Sequence, residues 1–467
     1  MLDQTVVGTA LPTIVRELHG ADLYVWVITA YLITATVSLP VYARLSDRHG
    51  RRALLLIGMG LFLTGSAGAA SAASMGQLIA WRALQGLGAG ALEGLSFILV
   101  ADLYRGRRSA ALQGVLAGVM GVSFIAGPLI GGALTDGPGW RSVFLVNLPI
   151  GVLAFAVVAG ALPATVGRSE ARGTRLDFAG IVVLTAAVGL LLVGLTEHSR
   201  AAAGGRLPSW GEGRTGGLVG LALLLVPVFL AVERRAANPL VPLRLFADRR
   251  LALLLLAGTT VTFGLFAGVL LLPRYFQIAR GVSATHSGLL IYPLLLGLLV
   301  TVNVGAMSIS RRNAFRGTLL VGCALAATGA AGFASFGVGT PDWQSLVFMG
   351  LIGAGIGPAL SGIQIALQRL VAPAQIGAAM GTLLLLRQVG GAVALAAAGA
   401  LYTDGLEGDG LAASATATGH ALLLVSLTGT VVAAGALLAL PRRAGRLPGL
   451  PAPAGATRSE PFSTARL

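Results

Sequence analysis

Fourteen apolar stretches follow one another along this chain, at roughly 2–18, 24–43, 53–73, 77–99, 111–134, 143–162, 178–196, 216–232, 251–272, 285–306, 317–338, 345–367, 377–401 and 419–440. Most approach the ~20 residues that a helix needs to cross a hydrocarbon core. In lipid every backbone N–H and C=O must be satisfied internally, so a single spanning segment has to be a helix. The pattern predicts an all-α membrane protein. Charge supports it, because only 11% of the 467 residues are Asp, Glu, Lys or Arg, against about 25% in a soluble chain. Most of the surface must therefore meet lipid or other helices.

The 33 basic residues are all arginine. A phosphate-binding P-loop needs a lysine on the β/γ-phosphates, so the chain cannot energise work by its own ATPase. A net charge of +15 invites a nucleic-acid reading, but the arginines are dispersed among short connectors. Retention of connectors on the inner side of a membrane explains them better. Assigning connectors alternately to two sides puts 24 arginines on one side and seven on the other, with Arg82 and Arg387 inside spans. That bias predicts an even number of spans, with both termini cytoplasmic, in a multi-pass protein of the cell membrane. The single cysteine, Cys323, excludes an intrachain disulfide framework. The five histidines lack metal-ligand spacing. Neither a metal nor a cofactor is expected.

One short polar connector is dense in charge: Arg44-Leu45-Ser46-Asp47-Arg48-His49-Gly50-Arg51-Arg52. It joins two spans as an antiparallel hairpin. A carboxylate such as Asp47 can cap a neighbouring helix or pair with an arginine across a seam, and Gly50 lets backbones approach. Such a patch suits a latch that makes and breaks as two bundles move. It resembles the loop between spans two and three of the major facilitator superfamily, G-x-L-x-D-R-x-G-R-R, with Ala43 in place of the first glycine. On that resemblance Asp47, Arg48, Gly50, Arg51 and Arg52 form a gating loop.

Further stretches resemble the fourteen-span drug:proton antiporters of that superfamily. Leu2-Asp3-Gln4-Thr5-Val6-Val7 with Ala10-Leu11-Pro12 is similar to their first span. There the aspartate lies mid-helix, whereas only two residues precede Asp3 here. The first helix therefore reads as truncated: either the start lies within a longer gene, which we expect, or a stub replaces a full span. Gly118, Gly121, Gly127, Pro128, Gly131 and Gly132 resemble the antiporter motif of span five. Small residues at one-turn spacing let helices pack closely, and proline bends the helix. Gly139-Trp140-Arg141 through Val146-Asn147-Leu148-Pro149-Ile150-Gly151, Leu176-Asp177-Phe178-Ala179-Gly180, and Pro273-Arg274-Tyr275-Phe276-Gln277-Ile278-Ala279-Arg280-Gly281 also match that group. Gly88-Ala89-Gly90 is echoed by Gly353-Ala354-Gly355, a weak sign of two related halves. The resemblance implies a major facilitator fold. It has a six-helix bundle at 1–162, two extra central helices with flanking loops at 163–250, a second six-helix bundle at 251–440, and a disordered cytoplasmic tail at 441–467.

An ionised side chain at the bilayer centre costs roughly 2.5–3.5 kcal/mol on insertion scales, so it is rarely kept without use. Asp3, Arg82, Glu93 and Arg387 fall inside spans. Arg82 and Glu93 are eleven residues apart, about three turns or ~16 Å along one helical face, and Gln85 lies one turn from Arg82. This stripe is expected to face a water-filled cavity. Arg82 is either a structural pin or, as the pattern R-x-x-Q-G-x-G of the resemblance implies, a partner in proton coupling. Glu93 is left open between a proton site, a counter-charge to a cationic substrate, and a satisfied structural acid. Arg387, with Gln388 and Gly390-Gly391, reads as packing or gating. Trp26, Tyr31, Phe124, Phe263 and Phe266 are candidates to line a promiscuous pocket through apolar area and cation–π contacts.

The expected function is proton-gradient-driven export of small amphipathic compounds, cationic ones included. Asp3, Arg82, Gln85 and Glu93 would handle protons and substrate. Partners are then the substrate, protons, the bilayer and an accessory envelope protein, with no nucleic acid. One alternative is a dedicated exporter of a single metabolite such as an antibiotic or siderophore. A non-transporting sensor is a remote one, and no residue pattern supports an enzyme.

Overall fold

The computed structural model describes residues 2–20, 23–103, 126–163, 177–203, 215–236, 243–312, 315–371, 376–405 and 410–440, with isolated positions 112, 119, 122, 123 and 241. Among the described residues all regular structure is helical. Eleven helices are long and apolar enough to cross a membrane, and Tyr24–Leu39 is a shorter apolar one. Of the remaining expected spans, 2–18 is a helix of 17 residues, and much of the first half of 111–134 lies outside the described residues. The tail expected at 441–467 lies outside them too.

We label the helices in chain order. The first six are α1 (Leu2–Leu18), α2 (Tyr24–His49), α3 (Arg51–Ala70), α4 (Met75–Leu103), α5 (126–136) and α6 (Ser142–Ala161). Next come α7 (Phe178–Ala203) and α8 (Thr215–Arg235). The last six are α9 (Arg249–Ala279), α10 (Ala284–Ile309), α11 (Phe315–Gly332), α12 (Asp342–Leu370), α13 (Ile376–Asp404) and α14 (Leu411–Leu438). Helix α9 ends in a π-helical turn, Tyr275–Ala279, which begins two residues after Pro273.

The charged patch is not the loop that its polarity suggests. Helix α2 continues to His49 and α3 begins at Arg51, so the reversal is made by Gly50 alone, at φ 88°. That conformation is costly for any residue with a Cβ and cheap for glycine. The Gly50 N–H still bonds the Ser46 carbonyl at 2.9 Å, closing the last turn of α2. Arg51 Nη1 donates to Ser46 Oγ, and Arg52 Nη2 donates to the Ala159 carbonyl on α6. Two of the four arginines therefore pin the junction to its own surroundings. The side chains of Asp47 and Arg48 lie outside the described residues, as do Gly118, Gly121 and Phe124.

Helix α4 lies against α2 and α3, and α12 lies against α10 and α11. In both places alternate glycines admit the neighbouring backbones. A Cβ at Gly86, Gly88 or Gly90 would strike α2, α3 and α2 in turn, and one at Gly353, Gly355 or Gly357 would strike α10, α11 and α10. The two sets correspond as 86, 88, 90 to 353, 355, 357. The register read from the matching Gly-Ala-Gly tripeptides is thus two residues out. Composition cannot fix such a register, because it depends on which neighbour each glycine meets.

Helices α7 and α8 form a hairpin, with α7 packed on α2 and α13. Its outer member exposes Leu221, Leu223 and Leu224 to the lipid side. Across the seam between the first and last six helices, α1 meets α9 and α10, and α2 meets α13.

Candidate functional site

Four polar side chains gather around Asp3, from helices separated by up to 144 positions of sequence. Arg82 Nη1 on α4 lies 2.5 Å from Asp3 Oδ2 and also donates to Gln85 Oε1 at 2.7 Å. Gln85 Nε2 donates to Asp3 Oδ1 at 3.0 Å and to Ser66 Oγ on α3 at 2.7 Å. Asn147 Nδ2, where α6 resumes after a break at Val146, donates to the same two oxygens at 3.1 and 3.0 Å. Arg82 Nε reaches the Val27 carbonyl on α2 at 3.3 Å, and the guanidinium carbon lies 4.1 Å from the centre of the Tyr31 ring. Arg82, Gln85 and Ser66 are 0% exposed and Asp3 is 7% exposed.

The donor count suits a charged carboxylate. Asp3 accepts three hydrogen bonds, one from a guanidinium and two from amides, and bonds of this charge-assisted kind are the strong ones. Arg82 Nη2 has no hydrogen-bond partner among the described residues, so the guanidinium keeps a spare donor. A proton added to Asp3 would place a donor among Arg82, Gln85 and Asn147, all of which donate to it.

Arg82 and Gln85 do not line a water-filled cavity, as expected from the stripe on α4. They are enclosed by α1, α2, α3 and α6. The cost of burying charge can be met by a complete set of protein partners instead of by water, and sequence alone does not separate the two. Glu93 stands apart from them. Its Oε2 accepts from Gln388 Nε2 of α13 at 3.5 Å, and its Oε1 has no partner among the described residues. Arg387 ties α13 to the Gly258 carbonyl of α9 and the Leu360 carbonyl of α12, each at 3.2 Å. These bonds suit the packing side of the packing-or-gating reading.

Asn147, noted in the sequence only as part of a stretch resembling the span-six entry, and Ser66 are absent from the candidate site residues that the sequence singles out. Asn147 carries a signal, since an amide near the start of an apolar span has the same cost argument as a buried charge. Ser66 carries none, because a helical serine commonly bonds its own preceding turn. Close by, Thr5, Ile28, Leu32, Leu265, Phe266, Val269 and Leu395 line a narrow, apolar cleft between the first and last six helices. Of the proposed pocket aromatics, Phe266 lines that cleft and Tyr31 lies under Arg82. Phe263 packs where Gly390 and Gly429 leave room, and Trp26 is half-buried.

The bundle of spanning helices defines a multi-pass membrane protein; that it is a transporter and not an enzyme follows from its family. The chain belongs to the Major Facilitator Superfamily, whose sequence pattern matches residues 1–395. It is similar to the multidrug transporter protein MdtP of Bacillus subtilis, with 32% identity over 86% of this chain and 72% of that one. It is equally similar, at 32% identity, to the tetracenomycin C resistance and export protein of Streptomyces glaucescens, over 86% of this chain and 73% of that one. Against some relatives it spans less, 58% of a Mycobacterium tuberculosis MFS-type transporter. Among solved structures, a mutant form of the nucleoside transporter NupG shares the fold with a TM-score of 0.59 at 13% identity, over 94% of this chain and 96% of that one.

Proposed function

We propose that this transporter is a proton-coupled exporter of small amphipathic compounds, cationic ones included, and one of the fourteen-span drug:proton antiporters. One observation carries the reading: a carboxylate, Asp3, held by Arg82, Gln85 and Asn147 inside the membrane-spanning part of the molecule. Loss and gain of its proton would reshape the contacts among α1, α4 and α6. Glu93, at the seam and facing Gln388, would meet the charge of a cationic substrate. The names of the Bacillus and Streptomyces relatives support export of toxic compounds. In this reading the protein sits in the cell membrane with both termini cytoplasmic, as two six-helix bundles and a two-helix insertion. The Asp47 junction acts as the cytoplasmic gate.

A second reading, a dedicated exporter of one metabolite, is favoured by the Streptomyces relative, whose name couples resistance with export of a single compound. A susceptibility panel in an efflux-deficient host, with and without a protonophore, tests both. Broad protection abolished by the protonophore supports the proposal. Protection against one compound class supports the second reading, and protection that ignores the protonophore removes proton coupling.

A further inference from the structure

The seam between the first and last six helices is closed at the end of the molecule away from Gly50, and the closure is built from few parts. Gly132 on α5 lets α10 come so near that its Cβ would lie 2.5 Å from Thr285 Cα, and Gly288 on α10 meets the Pro128 carbonyl of α5. Asp136, at the end of α5, then reaches over the start of α10. Its Oδ1 accepts from the Ala284 N–H at 3.2 Å and its Oδ2 from the Thr285 N–H at 2.7 Å. Nearby, Gln277 in the π-helical turn donates to the Thr9 carbonyl of α1 at 2.8 Å. Arg274 stacks between Tyr24 of α2 and Tyr402 of α13, 4.7 and 4.3 Å from the ring centres.

Apart from the two glycine approaches, these contacts differ from the close packing within each half. They run end to end across the seam, they are polar or cation–π, and Asp136 itself is exposed. A carboxylate on free N–H groups at a helix start is favourable without deep burial. It can therefore part in water at small cost. We propose that Asp136 and the start of α10 form a releasable latch that holds this end of the transporter shut, and that must open for substrate to pass on that side. Burial of Asp136 opposes its charge, but the hydrogen bonds from Thr285, Ser283 and Ala284 outweigh it and hold the carboxyl below its ordinary range. The latch is thus ionised at neutral pH. His286 is the other titratable group at this end of α10, and its ring is not among the groups bonded to Asp136. The proposal needs only that access alternates, not that protons drive it.

The test is a cysteine pair, Asp136→Cys with Thr285→Cys, on a Cys323→Ser background. Oxidation should cross-link the pair and stop export, and reduction should restore it; activity in the reduced form shows that the protein is folded. Absence of cross-linking, or full export by the cross-linked protein, overturns the proposal. Asp136→Ala provides a second arm. With Val269→Cys as a reporter in the cleft, labelling by an impermeant thiol reagent from outside intact cells should rise roughly threefold to tenfold, the effect of losing one hydrogen bond of ordinary net strength at an exposed site. An unchanged labelling rate, at an outer face verified by a reporter at Ser209, also overturns it.

Discussion

Asp3 and Arg82 stand 2.5 Å apart although 79 positions separate them, and between them they tie α1 to α4 where the arginine is fully buried and the aspartate nearly so. The pair is more than an ion bridge. Gln85 and Asn147 bond the other carboxylate oxygen, and Tyr31 covers the guanidinium.

Breaking this pair from one side should cost more than removing it whole. Removing one partner of a buried pair leaves an uncompensated charge, at about 3–5 kcal/mol. Asp3→Asn and Arg82→Gln should each lower thermal stability and abolish pH-dependent export, and the double variant should recover part of the stability but none of the coupling. Melting curves of the purified proteins and dye export at several external pH values check this. Additive losses of stability would show the two side chains to be independent.

Arg82→Lys should fail almost as badly as Arg82→Gln. Lysine keeps the charge but cannot bond Asp3, Gln85 and the Val27 carbonyl from one planar fork, nor stack as well on Tyr31. Near-normal export by the lysine variant would reduce the role of Arg82 to charge alone.

Glu93→Gln should impair export of a cationic dye far more than that of a neutral one, while Glu93→Asp retains part of both. The neutral amide can still bond Gln388, whose Nε2 now lies 3.5 Å from Glu93 Oε2, but it no longer attracts a cation. Equal loss for both dyes would assign Glu93 to coupling or folding.

Asp47→Asn should leave the protein inserted at normal abundance and slow export, if the junction at Gly50 gates the cytoplasmic side. Transport at the wild-type rate would take Asp47 out of the mechanism.

Orientation is open to a direct reading. On a Cys323→Ser background, a cysteine at Ser209 should be labelled from outside intact cells and one at Ser109 should not. The reverse pattern would invert the sidedness drawn from the arginines.

Much of the architecture could be read from the residues, since long apolar runs in a chain with few charges leave helices as the only choice. The Asp3–Arg82–Gln85 grouping was legible only as a set of costly residues. Nothing in the spacing of Asp3 and Arg82 says that α1 crosses α4 at that height, and the stripe on α4 suggested that Glu93 belonged with them. The side chains of facing helices decide otherwise. Arg82 turns toward α1, α2 and α6, whereas Glu93, three turns on, meets α13. The closure at Asp136 could not be read at all, because an aspartate before Gly137-Pro138-Gly139 looks like ordinary turn chemistry. Its partners lie about 148 positions away.

The glycines of α4 and α12 set where the molecule can give way. With no side chains between α4 and its neighbours at Gly86, Gly88 and Gly90, or between α12 and its neighbours at Gly353, Gly355 and Gly357, sliding either helix would drag backbone over backbone. Each trio of helices is in effect welded, and thermal motion has to find its outlet along the seam, where, beyond the close approaches at Gly132 and Gly288, polar and aromatic side chains make the contacts. A bulky residue placed in either glycine series should therefore damage the casting of the machine, whereas a change along the seam should retime it.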